Sequence, residues 1–357
     1  MAVRNLLCLA LSLTSFSLLA GVPFPLNVDS IMRGPALVGH QPRNLRWAGN
    51  SERVYFDWKV AADPVLKDFD TYVVERDGSK LRKLTLEEAK LSPPVEGDTS
   101  KDRSHTVYIR EGDVYLYDHA ADRAKRLLRT VDTESSPRFL RDGKRISFVL
   151  NNNLFVMSLD GGGLAQVTNI RTGPDPEKKG TPSQEYLKKQ EQELIEVVRD
   201  RARKKKEEEE RKKLDNPRKP FYLSPRQQVA SLRLSPDELY VVADLTEKAE
   251  NAKASLVPNY VTESTYTETN ASRTNAGDND TRNRVALIAV STGELKYVDA
   301  ETGKPESEVT QFGPVFSEDG TRAVMEAAHL NNKDRWMLAL DLPSAKARVI
   351  AAIHDDA

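Results

Sequence analysis

The chain contains almost no cysteine. Among its 357 residues there is a single one, Cys8, and it lies in an apolar N-terminal run that we expect to be cleaved off. A mature chain without cysteine forms no disulfide bond, which excludes the class of small secreted domains that disulfides hold together. A chain of this length can bury a sizeable hydrophobic core without such bonds.

Histidine is scarce, and a strong net charge of either sign is absent. The chain has five histidines: His40, His105, His119, His329 and His354. Their spacing matches no metal-binding pattern, and none has a plausible serine partner nearby in sequence. We therefore expect surface or strand histidines, no metal ion and no other cofactor. The formal net charge is −1, which gives no reason to expect nucleic acid as a partner.

The sequence also lacks a Gly-x-Ser-x-Gly motif. That motif presents the nucleophilic serine of α/β-hydrolases between a strand and a helix. The nearest candidate, Gly78-Ser79, lies instead in a predicted hairpin turn. We expect no catalytic residue in this chain, and it stays open whether the chain is part of an enzyme.

The N-terminus has the composition of a secretory signal peptide. Arg4 precedes an uncharged apolar run from Leu6 to Ala20, which is shorter than the roughly 20 apolar residues of a membrane-spanning helix. We predict a signal peptide over residues 1–20 and a lead segment over residues 21–42. An exported chain without disulfides is more typical of a bacterial periplasm or cell surface than of a eukaryotic secreted domain.

One short sequence pattern occurs four times. Each copy has a hydrophobic residue, an Asp or Asn three positions later, and hydrophobic residues again after three more positions. The copies begin at Trp47, Phe139, Leu234 and Phe316. Asp, Asn and Gly are the residues that tight turns require, so each copy predicts a strand, a turn and a second strand. Repetition of such a hairpin predicts an array of small sheets rather than one sandwich.

The whole strand pattern predicts an all-β fold of the β-propeller type, with about five four-stranded blades. We place blades 1–3 at residues 43–170, a helical arm at 171–222 and further blades at 223–357. The chain ends without a closing strand, so we expect an incomplete ring and a chain truncated before a catalytic domain.

The helical arm interrupts the array. Thr181, Pro182 and Gln184 form a good helix start, and we predict a helix from Pro182 to about Leu214. After Val198 the arm is almost purely charged, which is typical of a solvated helix.

A second long insertion, residues 253–280, holds the candidate substrate-binding residues. They are Tyr260, Glu263, Tyr266 and Arg273. Loops on a rigid scaffold often carry function, and Tyr and Arg suit peptide contacts. Two other interpretations stay open: a mobile surface loop, and a lyase or glycosidase site that uses the carboxylates of the insertion.

The order of these features resembles the N-terminal propeller of the dipeptidyl peptidase IV-like branch of the prolyl oligopeptidase family, over roughly residues 30 to 357. The resemblance rests on the early strands Leu45-Arg46-Trp47 and Val54-Tyr55-Phe56, the helical arm, the hairpin from Ser231 to Asp244, and the stretch Val257-Pro258-Asn259-Tyr260 followed by Arg273 and Gly277. The family's paired glutamates, which hold the amino terminus of a substrate, have no counterpart in a similar context here.

The resemblance implies a non-catalytic, substrate-gating part of an exported serine peptidase. It also implies that a peptide substrate would be cleaved by a C-terminal hydrolase domain, and it leaves open a homodimer of the full-length protein. Without the glutamate pair we do not expect strict aminodipeptidase specificity. The alternative is a non-enzymatic periplasmic propeller, similar to TolB, that binds a protein partner.

Overall fold

The structure is a computed structural model. It describes residues 27–61, 63–64, 66–173, 183, 186–187, 190, 196–215, 218–250, 253–274 and 280–356. The predicted signal peptide, the predicted helix start at Pro182 and Gly277 lie outside these residues. The chain forms two compact units, one ending at Val95 and one beginning at Glu96.

In its described residues, the first unit contains one four-stranded antiparallel sheet and three short helices. Its elements are α1 (Val28–Ile31), α2 (Pro35–Val38), β1 (Arg43–Trp47), β2 (Arg53–Trp58), β3 (Asp70–Glu75), β4 (Arg82–Lys83) and α3 (Leu86–Leu91). Its small core consists of Ala48, Tyr55, Val73 and Leu84. Helix α3 starts where the sequence provides a capping box, since Thr85 accepts a hydrogen bond from the Glu88 amide.

The second unit begins with two four-stranded antiparallel sheets. The second sheet of the chain comprises β5 (Asp98–Thr99), β6 (His105–Arg110), β7 (Asp113–Asp118) and β8 (Arg123–Arg126). The third sheet comprises β9 (Ser135–Phe139), β10 (Arg145–Leu150), β11 (Asn153–Ser158) and β12 (Leu164–Gln166). An arm follows, with the short strands β13 (Ile170–Arg171) and β14 (Phe221–Tyr222) at its two ends and helix α4 (Glu196–Asp215) between them.

The fourth sheet carries an inserted ribbon, and the fifth sheet has an added edge strand. The fourth comprises β15 (Gln227–Leu234) and β16 (Tyr240–Glu247), then the inserted β17 (Ala254–Asn259) and β18 (Glu268–Thr274), then β19 (Arg282–Ala289) and β20 (Leu295–Tyr297). The fifth comprises β21 (Asp299–Ala300), β22 (Val309–Phe316), β23 (Ala323–His329), β24 (Asp334–Asp341) and β25 (Lys346–His354), and β21 pairs in parallel with β25.

These five sheets confirm the predicted fold class. Within the described residues, each sheet is built on four antiparallel strands that follow one another in the sheet in chain order. That arrangement is the one expected of propeller blades. None of the helices that the structure describes is long and apolar enough to cross a membrane.

The core of the second unit lies between successive sheets. Strand β16 shows how one strand contributes to two cores, because its side chains alternate between the faces of the sheet. Val241 packs with Leu154 of the third sheet, and Val242 packs with Met325 and Leu338 of the fifth. Each of these side chains is buried, so the sheets are held face to face by apolar contacts.

The repeated sequence pattern forms one defined turn between the first and second strands of each sheet. The amide of the first turn residue donates to the carbonyl of the sixth at 2.8 to 2.9 Å. The side chain of the third residue, an Asp or Asn, accepts from the amide of the fifth at 2.8 to 3.1 Å. The turns are residues 48–53, 100–105, 140–145, 235–240 and 317–322.

The turn at residues 100–105 is a fifth copy that the sequence analysis missed. It has the same hydrogen bonds as the other four, with Asp102 as the acceptor. Thr99 stands at the position that a hydrophobic residue occupies in the other copies. The turn therefore depends on the Asp and its backbone geometry, and the flanking hydrophobic residue is not required.

The turns and the long insertions lie at opposite edges of the sheets. Because the strands are antiparallel, the turn after β15 lies at one edge of the fourth sheet, and the arm before β15 and the ribbon between β16 and β19 lie at the other. We call these two sides of the sheets, where the strands end, the turn edge and the insertion edge. Within residues 253–274 the insertion is a paired ribbon, because β17 and β18 pair over Ala254–Asn259 and Glu268–Thr274.

Candidate functional site

The insertion edge of the fourth sheet is the candidate functional site. Both ends of the arm meet there, because Ile170 pairs with Phe221 and Arg171 with Tyr222. The ribbon leaves and rejoins the sheet at the same edge, where Glu247 pairs with Arg282. The arm and the ribbon, the two longest insertions, thus both start at this edge. The turns at the opposite edge are short and nearly identical.

A mostly buried carboxylate, Glu247, holds this edge together. Its oxygens accept from Gln227 at 3.3 Å, Arg282 at 3.4 Å and Arg284 at 3.5 Å. Arg226 lies 3.8 Å away. The side chains of Glu247, Arg282 and Arg284 are only 13%, 15% and 18% exposed. The negative charge of Glu247 is therefore needed to balance arginines that are largely removed from water.

The surroundings of Glu247 hold its pKa below the ordinary value. Burial alone would raise the pKa, but the charge of Arg282, the hydrogen bond from Gln227 and the charge of Arg284 together outweigh it. Both arginines also bind Glu306 of the connection that leads into the fifth sheet, Arg282 through the backbone carbonyl and Arg284 through the carboxylate. The network thus joins the fourth sheet to the start of the fifth.

Tyr297 lies beside this network, between two cavities. Its hydroxyl donates to Gln227 at 3.2 Å, and the guanidinium of Arg284 lies 4.0 Å from the centre of its ring. One cavity, of about 910 Å³, is lined mainly by Phe221, Tyr222, Tyr297 and neighbouring prolines. The other, of about 300 Å³, is lined by Tyr297, Arg284 and further polar residues. The edge therefore offers aromatic surface next to fixed charges, a combination suited to peptide contacts.

The structure places three of the four predicted site residues in the connection at the tip of the ribbon. Tyr260, Glu263 and Tyr266 lie between β17 and β18, and Arg273 lies in β18. Tyr260 is 77% exposed and Tyr266 is 79% exposed. Tyr260, Glu263 and Tyr266 share one segment, and none of these three lines either of the two cavities beside Tyr297.

One histidine is hydrogen-bonded to the serine that precedes it in the chain. Ser104 Oγ lies 2.7 Å from His105 Nδ1. The serine hydroxyl also lies 2.8 Å from Asp102, and Asp118 is 3.8 Å from His105 Nε2. Because the serine proton has a carboxylate acceptor, this group is not arranged as an activated nucleophile. Across the described parts of the chain, no cluster of His, Cys, Asp and Glu is arranged to hold a metal ion.

Sequence reasoning missed the Glu247 network altogether. Its members lie up to 80 positions apart, from Arg226 to Glu306. The one signal in the sequence is that Glu247 and Arg282 flank the insertion, as oppositely charged residues at the two ends of an excursion. Such a pair becomes meaningful only once the strand register is known, because register decides which residues face each other.

The lowered pKa of Glu247 predicts a specific pH dependence. A carboxylate with a folded-state pKa below its ordinary value of 4.5 stabilises the folded state above that pH. Its contribution is lost as the pH falls through the lowered pKa. We expect Glu247→Gln to be less stable than the wild type at pH 7, and to lose less stability than the wild type between pH 7 and pH 3.

Urea unfolding at the two pH values measures this difference. Glu250→Gln is the matched control, since Glu250 is 72% exposed and lies 3.6 Å from Arg226. We expect this control to follow the wild type at both pH values. Equal acid sensitivity of Glu247→Gln and the wild type would contradict the assignment.

Comparison with known proteins gives one family match. Residues 99–182 match the family model described as the dipeptidyl peptidase IV (DPP IV) N-terminal region. The match confirms the family resemblance that we inferred from the sequence. No curated protein matches the chain significantly.

Several solved structures are similar to this chain. Dipeptidyl peptidase 4 of Porphyromonas gingivalis is 15% identical with a TM-score of 0.48, covering 93% of this chain and 43% of that protein. A Bacteroides ovatus protein described as a dipeptidyl aminopeptidase IV is 10% identical with a TM-score of 0.42, covering 89% and 38%. TolB from Acinetobacter baumannii is 12% identical with a TM-score of 0.29, covering 87% and 56%. All three TM-scores are below 0.5, and the chain spans less than two thirds of the length of each of these proteins.

Proposed function

We propose that this chain, whose residues 99–182 match the dipeptidyl peptidase IV N-terminal region, is the substrate-gating and non-catalytic part of a serine peptidase of the prolyl oligopeptidase family. The family match is the observation that carries the proposal. In this proposal a C-terminal α/β-hydrolase domain supplies the nucleophilic serine and its histidine base. The propeller restricts access to that domain and contacts the peptide.

The different elements at the two edges support different roles for these edges. A gating domain needs irregular, chemically varied elements on the side where it meets its partner domain, because uniform tight turns offer few specific contacts. The arm and the ribbon provide such elements at the insertion edge, with Tyr297 and the Glu247 network between them. We therefore propose that the hydrolase domain and the substrate meet the propeller at the insertion edge.

A peptidase assay tests the function directly. Two proteins are compared: the purified chain, and the product of a longer reading frame that carries the hydrolase domain. Each is incubated with Xaa-Pro and Xaa-Ala chromogenic dipeptides. We expect hydrolysis only by the longer product. A reading frame that ends at Ala357, with no activity in the chain, would overturn the proposal in favour of a periplasmic propeller that binds a protein partner.

We further propose that the ribbon residues Tyr260, Glu263, Tyr266 and Arg273 contact the substrate. Exposed tyrosines lose little conformational entropy on binding and bury a large area. We expect Tyr260→Ala and Tyr266→Ala in the full-length enzyme each to raise KM by about tenfold, a change of about 1.4 kcal/mol. Steady-state kinetics on one peptide measures it.

The matched control for these two variants is Leu239→Ala at the turn edge. Leu239 is 61% exposed, so its truncation removes exposed apolar surface far from the ribbon. We expect its kinetics to equal those of the wild type. An unchanged KM in both tyrosine variants would remove the ribbon from the substrate site without affecting the family proposal.

We also propose that the protein acts after export, in the periplasm or outside the cell, on the basis of the predicted signal peptide. Cell fractionation with N-terminal sequencing of the mature protein tests this. Cytoplasmic protein that retains residues 1–20 would contradict it.

A further inference from the structure

The turn edge of the second unit contains a cavity with no part in the proposed function. It has a volume of about 340 Å³, within the range of roughly 300–1,000 Å³ that is typical of small-ligand sites. Phe139, Leu140, Leu234 and Pro236 contribute apolar wall. Charged side chains from the turns of several sheets surround this wall.

Most of the carboxylates around the cavity already have partners. Arg145 donates two hydrogen bonds to Glu238, at 2.6 and 2.9 Å. Lys101 binds Glu318, which joins the turn of the second sheet to that of the fifth. The contact brings together residues that are 217 positions apart. These ion pairs join the turns around the cavity, and their carboxylates are already hydrogen-bonded.

Two arginines that line the cavity have unused hydrogen-bonding capacity. Within the described residues, Arg141 makes no side-chain hydrogen bond and no ion pair, and its charge acts on Glu318 only at longer range. Arg138 is 58% exposed, and its guanidinium is 3.7 Å from Asp98, too far for a hydrogen bond. The second oxygen of Asp98 accepts from the Phe139 amide at 2.7 Å. Two arginines of the cavity lining therefore have guanidinium groups without a hydrogen-bonded acceptor among the described residues.

We propose that this cavity binds a carboxylate group of a peptide, through Arg138 and Arg141. A guanidinium is planar and always charged, and it matches a carboxylate with two parallel hydrogen bonds. The apolar wall suits the side chain next to that carboxylate. A C-terminal carboxylate and an acidic side chain offer the same chemistry. The site lies at the edge opposite the arm and the ribbon, and it needs no hydrolase domain.

Calorimetric titration of the full chain with three probes tests the proposal. The probes are acetyl-Ala-Ala-Ala with a free carboxylate, the same peptide as its amide, and acetyl-Ala-Glu-Ala amide. We expect at least one carboxylate probe to bind about tenfold more tightly than the neutral amide. The probe that binds more tightly identifies the source, a C-terminus or an acidic side chain. Equal binding of all three probes, or no binding, would overturn the proposal.

Variants locate the binding within the structure. We expect Arg138→Gln and Arg141→Gln each to weaken binding of the preferred probe by about tenfold. Arg129→Gln is the matched control, because Arg129 is an exposed arginine outside the cavity. Thermal unfolding confirms that the variants remain folded. An equal loss in Arg129→Gln would show unspecific attraction and would overturn the proposal, as would unchanged binding in both cavity variants.

Discussion

Replacing Glu247 by alanine is expected to lower the free energy of unfolding by about 3 kcal/mol. The variant leaves Arg282 and Arg284 largely buried, at 15% and 18% side-chain exposure, without their shared carboxylate. Removing one partner of a buried ion pair is costly chiefly because the remaining charge is uncompensated. The exposed Glu306 still binds both arginines, which keeps the expected loss at the lower end of the usual range.

Urea unfolding of the purified chain, followed by tryptophan fluorescence, measures this loss. The matched control is Glu301→Ala. Glu301 forms an exposed ion pair with Lys346 at 3.5 Å, with side chains 45% and 62% exposed. Exposed pairs contribute about 0 to 1 kcal/mol, so we expect little change in the control. A loss in Glu247→Ala no larger than that of the control would show that the insertion edge does not depend on this carboxylate.

Replacing Gly320 by alanine is expected to destabilise the protein by about 2 to 3 kcal/mol. Gly320 is the fourth residue of the turn at 317–322 and has a φ of +78°. A Cβ at this position would lie 2.7 Å from the Asp237 amide nitrogen and 3.0 Å from the Asp237 Cβ. Because the obstacle is mainly the backbone of a neighbouring turn, the fourth and fifth sheets would have to move apart.

Gly143 provides a control at the same position of another turn. Its φ is +65°, and a Cβ there would meet nothing within 4 Å. Gly143→Ala therefore carries only the backbone strain, about 1 kcal/mol. The difference between the two variants, measured by urea unfolding, isolates the close approach of the turns. Equal losses would contradict the contact between Gly320 and Asp237.

The turns show how much of the fold is predictable from sequence. Their geometry is local, because the Asp or Asn side chain accepts from an amide two positions later in the same turn. Four copies were recognised because hydrophobic residues flank them. The copy at residues 100–105 was missed because Thr99 stands at the flanking position. A search for the turn residues alone would have found it.

The ribbon and the charge networks show what the sequence alone does not reveal. The polar composition of residues 253–280 resembles a loop, yet β17 and β18 pair along their length. Arg145 meets Glu238 across 93 positions, and Lys101 meets Glu318 across a longer separation. Such partners depend on how sheets stack and on strand register, neither of which has a local signature. The substrate residues inferred from the ribbon therefore stay a proposal, whereas the sheets that carry it are confirmed.

Amide hydrogen exchange is the most direct test of the claim that the insertion edge is the functional edge. Exchange is compared between this chain alone and a longer product that carries the hydrolase domain. We predict slower exchange in the longer product at the ribbon (254–274) and in helix α4, and unchanged exchange at the turns 100–105, 140–145, 235–240 and 317–322. Protection of those turns, with an unchanged ribbon and arm, would contradict the account.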